Sequence, residues 1–198
     1  NYHGNNYVNN QNPTLNITHC NFIDCNTPGR TGRSVILLDV GDLIFEDNFI
    51  TFTDDELVIP FFRIFRAGTY HINRNTFRNI YDKHNRCLTG SQYFSVCIMY
   101  DGSSTEPFID ASEEEFEFND NIFDNITSKT QGRCINLQPA STNDITFVNN
   151  QIINCNMPDD QGNIVGGLIK VKFSQTISGT FTFRGCSFAN NKIKEPKT

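Results

Sequence analysis

The chain has 198 residues, with 16 Lys and Arg against 22 Asp and Glu for a net charge of −6, and it carries 26 Asn, 18 Phe and no Trp. That length predicts one domain able to bury a sizeable core, and 37% hydrophobic residues exclude a disordered acidic tail. The acidic balance argues against a surface that neutralises nucleic-acid phosphates, and the longest apolar stretches, 35–38 and 57–65, are too short for a membrane-crossing helix. Residue 1 is Asn and no apolar leader follows it, so the expectation is a mature form or an excised fragment.

Residues 1–14 are Asn-rich and lack apolar periodicity, and they are predicted to form a separate N-terminal segment. From there an eleven-residue frame recurs six times, beginning at Leu15, Leu43, Tyr70, Phe116, Ile145 and Phe181. Frame positions 1, 3 and 8 are large and apolar in every copy. Position 6 admits only Asn or Cys: Cys20, Asn48, Asn75, Asn121, Asn150 and Cys186. Position 10 is Asp24, Phe52, Asn79, Asn125, Asn154 and Asn190. Between copies lie a variable stretch and a third apolar run, at 35–38, 61–65, 96–100, 135–137 and 168–173. Residues 192–198 form a polar, basic tail.

Alternation at positions 1 and 3 has the period of a half-buried strand, and no segment has the period of a helix. Position 6 breaks the phase, which predicts a sharp bend with a small polar residue pointing inward; positions 8 and 10 then resume it. Equivalent strands run the same way, so the fold expected over 15–191 is all-β, a right-handed parallel β-helix of about six rungs. Spacings of 28, 27, 46, 29 and 36 between position-6 residues put long loops in the third and fifth intervals, chiefly at 81–95, 101–115 and 174–180. The inward asparagines are expected to form a ladder of stacked amides, each bonded to the next rung, with Cys20 and Cys186 where the column stops. The four asparagines at position 10 are expected to point inward too, and Asn16 and Asn73 outward.

The pattern resembles the right-handed β-helix repeat family. Phe45-Glu-Asp-Asn48, Phe118-Asn-Asp-Asn121 and Phe147-Val-Asn-Asn150 are similar to the Phe-x-x-Asn motif of polymorphic outer-membrane proteins, and Gly166-Gly-Leu-Ile169 and Gly132-Arg-Cys-Ile135 approximate its Gly-Gly-Ala-Ile motif. That family and similar protist surface proteins act in adhesion. The resemblance therefore implies a role at the cell surface.

The same fold carries polysaccharide lyases and hydrolases, so catalysis has to be argued from residues. The rung pattern is also similar to pectinase-like members, whose site lies on the strand after the variable loop. Outward positions there are Arg63, Asn136, Lys170 and Lys172, with Asp39 at a strand end, and only one is acidic. Paired carboxylates for acid–base hydrolysis are thus missing from that face. The acidic runs Asp54-Asp55-Glu56, Glu113-Glu114-Glu115 and Asp159-Asp160 read as solvated turns, since none has the spacing of a calcium loop.

Seven cysteines leave at least one thiol without a partner inside the chain. Most read as small buried hydrophobes; Cys87–Cys97 is the favoured disulfide if one forms, and Cys20–Cys25 is not. His19, Cys20 and Cys25, or His84 and Cys87, lack a four-ligand zinc signature, so no metal and no cofactor are expected. Of the two sequons, Asn16-Ile-Thr18 and Asn125-Ile-Thr127, only Asn16 is expected to accept a glycan.

The sequence is therefore read as a non-enzymatic extracellular or cell-surface binding module, contacting a cell-surface protein or carbohydrate. Its ligand-facing residues would be Arg63, Asn136, Lys170 and Lys172. A carbohydrate-active enzyme and a structural spacer are the alternatives. No obvious cap closes either end, so further rungs or end-to-end self-association are expected.

Overall fold

The computed structural model describes residues 13–25, 36–38, 42–53, 62–64, 69–82, 98–101, 115–128, 135–138, 145–157, 168–171 and 180–193. Among these residues the chain is all-β and contains no helix. The first copies of the frame give β1 (Thr14–Thr18), β2 (Asn21–Ile23), β3 (Ile36–Leu38), β4 (Asp42–Glu46), β5 (Phe49–Thr51) and β6 (Phe62–Ile64). Next come β7 (Thr69–Asn73), β8 (Thr76–Asp82), β9 (Ile98–Asp101), β10 (Glu115–Asn119), β11 (Ile122–Ser128) and β12 (Ile135–Gln138). The last are β13 (Ile145–Val148), β14 (Gln151–Ile153), β15 (Asn156–Met157), β16 (Ile169–Val171), β17 (Phe181–Arg184), β18 (Ser187–Ala189) and β19 (Lys192–Ile193). β19 pairs with β15 inside the segment 192–198, which was expected to form a polar tail.

Three parallel sheets collect the equivalent strands of successive copies, every third element until β15 intervenes. The first has the order β1-β4-β7-β10-β13-β17, the second β2-β5-β8-β11-β14-β18 with β15 and β19 beside it, and the third β3-β6-β9-β12-β16. Register follows the frame throughout: Phe45 pairs with Ile17 and Ile72, Phe118 with Phe147, and Phe147 with Phe183. The third apolar runs become the third sheet, although residues 35, 61, 65, 96–97 and 172–173 lie outside the described part.

Like residues stack because a parallel register superposes equal frame positions one strand spacing apart. Leu43 and Tyr70 at position 1, Phe45, Ile72, Phe118 and Phe147 at position 3, and Ile50, Phe77 and Phe123 at position 8 are fully buried. Phe77 and Phe123 lie face to face, 4.9 Å apart and 3° from parallel, and Phe118 stacks on Phe147 at 5.3 Å. Each such side chain contributes about 1.5–3 kcal/mol through burial.

Two bends shape each copy. Position 5 is left-handed in all six, at His19, Asp47, Arg74, Asp120, Asn149 and Gly185, with φ between 53° and 67° across all the bends. Position 10 is left-handed in five: Asp24, Asn79, Asn125, Asn154 and Asn190. This corrects the expectation that position 10 points inward. All five of those residues are exposed, and the side chain that turns in is the next one, as Ile80, Ile126 and Cys155 show. A second left-handed kink shifts the alternation by one residue, as the first one does. The second copy departs from the rule: Phe52 occupies position 10, has no left-handed φ and is buried.

Candidate functional site

The first bend exposes a gap in the backbone ladder, and the asparagines fill it. On one side of the bend the position-5 amide still reaches the next copy's carbonyl, as in Arg74 N to Asn119 O at 2.8 Å. On the other side the position-7 amide reaches back, as in Ile122 N to Asn75 O at 2.8 Å. The position-6 amide between them bonds a side chain instead. Asn48 N donates to Asn75 Oδ1 at 3.0 Å, Asn75 N to Asn121 Oδ1 at 2.9 Å, and Asn121 N to Asn150 Oδ1 at 2.9 Å.

The same oxygens accept from the preceding Nδ2 groups, at 3.1, 3.1 and 3.0 Å along the column. Each Nδ2 also donates to the position-3 carbonyl of the copy before: Asn48 to Ile17, Asn75 to Phe45, Asn121 to Ile72 and Asn150 to Phe118. All four asparagines are at most 2% exposed. An amide is the one neutral group that donates and accepts at once in this way. The column ends in sulfur. Cys20 N donates to Asn48 Oδ1 at 2.8 Å, and the Cys186 thiol takes the place of Nδ2 on the Phe147 carbonyl.

Sequence reasoning missed a member of the second bend. Asn191 Oδ1 accepts from Cys155 N at 2.9 Å and its Nδ2 donates to Ile152 O at 2.7 Å, repeating the ladder's two bonds one bend later. The signal was present in the pattern of position 11, where Ile80, Ile126 and Cys155 are buried. Outside, the position-10 amides bond in two separate pairs: Asn125 Nδ2 donates to Asn79 Oδ1 at 2.9 Å, and Asn190 Nδ2 to Asn154 Oδ1 at 3.4 Å, while Asn154 Nδ2 turns to Asp124 Oδ1 at 2.8 Å.

Charged side chains on the outer faces pair between copies. Arg74 bonds Glu46 at 2.7 Å and Asp47 at 2.9 Å, Arg78 meets Asp124 at 2.9 Å, and His71 Nδ1 lies 3.2 Å from Glu117. The Asp47 carboxyl is held below its ordinary range, first by the hydrogen bond from Arg74 and then by that guanidinium's charge. The Arg74 guanidinium is in turn held more firmly protonated by Asp47 and Glu46. Asn73 joins this group and is buried, contrary to its expected outward exposure: its Nδ2 donates to Glu46 Oε1 and its Oδ1 accepts from Asn119 N, both at 3.0 Å. These carboxylates are engaged by cations and amides, which suits them to holding neighbouring copies together.

The candidate ligand residues fall on the third sheet. Arg63 pairs with Met99, Met99 with Asn136, and Asn136 with Lys170, so Arg63, Asn136 and Lys170 share one register line. Lys172 and Asp39 lie outside the described residues, as do 54–56, 113–114, 159–160, His84, Cys87, Cys97 and Cys134. Cys20 and Cys25 are free thiols, and among the described residues no three His, Cys, Asp or Glu side chains gather as a metal group. Asn16 is exposed, and so is Asn125, which was expected to be shut inside. Among the described residues no helix is long and apolar enough to cross a membrane. No protein-family model, curated protein or solved structure matches the chain.

Proposed function

We propose that the three parallel sheets are the faces of one right-handed parallel β-helix, and that this coil is a non-enzymatic extracellular or cell-surface module binding a glycan or cell-surface protein. The cyclic order of the strands supports the coil, since equivalent strands of successive copies return to the same sheet in the same direction. The right hand follows from the rule for crossovers between parallel strands. The resemblance of the frame to Phe-x-x-Asn adhesin repeats supports the surface role.

The observation that carries the binding reading is the line Arg63, Met99, Asn136, Lys170 on the third sheet. Neighbouring members sit about 4.8 Å apart, so Arg63, Asn136 and Lys170 take register positions along roughly 14 Å of the sheet. That repeat suits an extended ligand with acidic or hydroxyl groups. The test is a glycan array and a cell-binding assay with the chain and its Arg63→Ala/Lys170→Ala variant, run beside lyase and reducing-sugar assays. Binding that weakens in the variant, without turnover, is the expected result. Turnover would transfer the line to an enzyme, and silence in every assay would leave a spacer.

A further inference from the structure

The two terminal copies of the frame present apolar surface that their interior counterparts bury. In the last copy Phe183 is 47% and Phe188 51% exposed, with Phe181 and Cys186 half-buried beside them. In the first, Leu15 is 37% exposed and Ile17 and Phe22 are half-buried. These are the same frame positions: 1, 3 and 8. Interior residues at those positions whose burial is described, such as Leu43, Tyr70, Phe45, Phe147, Ile50 and Phe123, are fully buried. Among the described residues, β17 pairs only with β13 and β18 only with β14, while β1 and β2 pair only with β4 and β5.

We propose that these two faces bind each other, the first copy of the frame in one molecule stacking on the last copy of the frame in a second molecule. The occupant is specified by the match. β17 presents Phe181-Thr182-Phe183-Arg184 in the register that Leu15-Asn16-Ile17-Thr18 needs, just as β4 receives β1 within the chain. β18 and β2 each have three residues, and both are entered from a left-handed residue, Gly185 and His19. Strands run parallel throughout, so a molecule added in this sense continues the first two sheets. The ladder column meets at the junction as Cys186 against Cys20, two thiols, so no side-chain amide has to find a mate across it. The chain already makes the step onto a cysteine once, from Asn150 to Cys186. Because the two faces differ, the contact is head-to-tail and does not close. It predicts a series of oligomers, not a dimer.

The inference rests on the coil reading and not on the ligand. It is tested by sedimentation velocity of the 198-residue chain over a wide concentration range. The expected result is a concentration-dependent series of species. Phe183→Asp and Leu15→Asp, each at an already exposed position, should both be monomers with unchanged circular dichroism, and their mixture should form a dimer and stop there. A thiol oxidant such as copper-phenanthroline supplies a second readout, taking two electrons and two protons from a Cys20–Cys186 pair to leave a disulfide. Within one molecule those sulfurs stand five strand spacings apart, roughly 24 Å, so that bond forms only between molecules. Peptide mapping should find it, and Cys186→Ser should abolish it. A chain that stays monomeric at every concentration and never gives this link, while still melting cooperatively, overturns the stacking and leaves the coil standing.

Discussion

Cys186 donates its thiol to the Phe147 carbonyl at 3.2 Å, where one copy earlier Asn150 donates Nδ2 to the Phe118 carbonyl at 2.6 Å. The sulfur keeps the donor half of the ladder and drops the acceptor half. Restoring the amide with Cys186→Asn would offer an oxygen to the Asn150 backbone amide. The expected gain is about 0.5–1.5 kcal/mol. Thermal melting checks it, with Cys186→Val as the variant that should fall below the parent.

Inside the column the loss should be much larger. Asn121→Leu deprives the Asn75 backbone amide and the Ile72 carbonyl of their partners, at 2.9 and 2.6 Å, in a fully buried place. Two stranded backbone groups cost about 1–3 kcal/mol each. Asn21→Leu, on an exposed strand position, should change stability little. Urea unfolding of the two variants side by side decides the matter, and equal midpoints would remove the ladder as a source of stability.

The outer bend separates conformation from hydrogen bonding. Asn79 sits at φ 55° and accepts from Asn125 Nδ2 at 2.9 Å. Asn79→Gly keeps the backbone geometry and loses a solvent-exposed bond, so its effect should be small. Asn79→Val forces a β-branched residue into the left-handed region, at a cost of about 1–2 kcal/mol beyond the glycine variant. The difference between the two urea midpoints measures that cost.

Acid should loosen the Arg74 group from one side. The Asp47 carboxyl is held below its ordinary range, so its contribution is complete above the unfolded-state value near ~3.9 and disappears as pH falls through the lower folded value. In Arg74→Gln the Asp47 titration, followed by carboxyl NMR, should move up toward the ordinary range. The stability gap between parent and variant should narrow below about pH 4. A gap that widened in acid would reverse the assignment.

Much of this was legible in the frame. Large apolar residues at positions 1, 3 and 8 mark the core because a parallel register stacks them, and the Asn or Cys rule at position 6 marks the amide column. What the hydrophobic pattern did not carry was the left-handed backbone. Alternation reports which face a side chain takes, and a kink resets it without leaving an apolar trace. His19, Asp47, Asp120, Asn149 and Gly185 at position 5 are residue types that tolerate φ near +56°, but Arg74 hides the rule. Alternation that resumes at position 8 predicts an inward position 10. The exposure of Asn79, Asn125, Asn154 and Asn190 shows that the same residue type serves there for its backbone, with the amide bond added outside.

The ladder holds the copies together but cannot tell them apart. Asn75 bonds Asn121 across 46 residues of sequence with the same atoms and nearly the same distances that Asn121 uses for Asn150 across 29. An amide arriving from the wrong copy would fit as well as the right one. Order along the stack must therefore be kept by the unequal partners around it, the Phe77–Phe123 stack and the Arg78–Asp124 pair among them. A chain emptied of those distinctions would still stack its strands in parallel. It would do so in whichever register its loops first allowed.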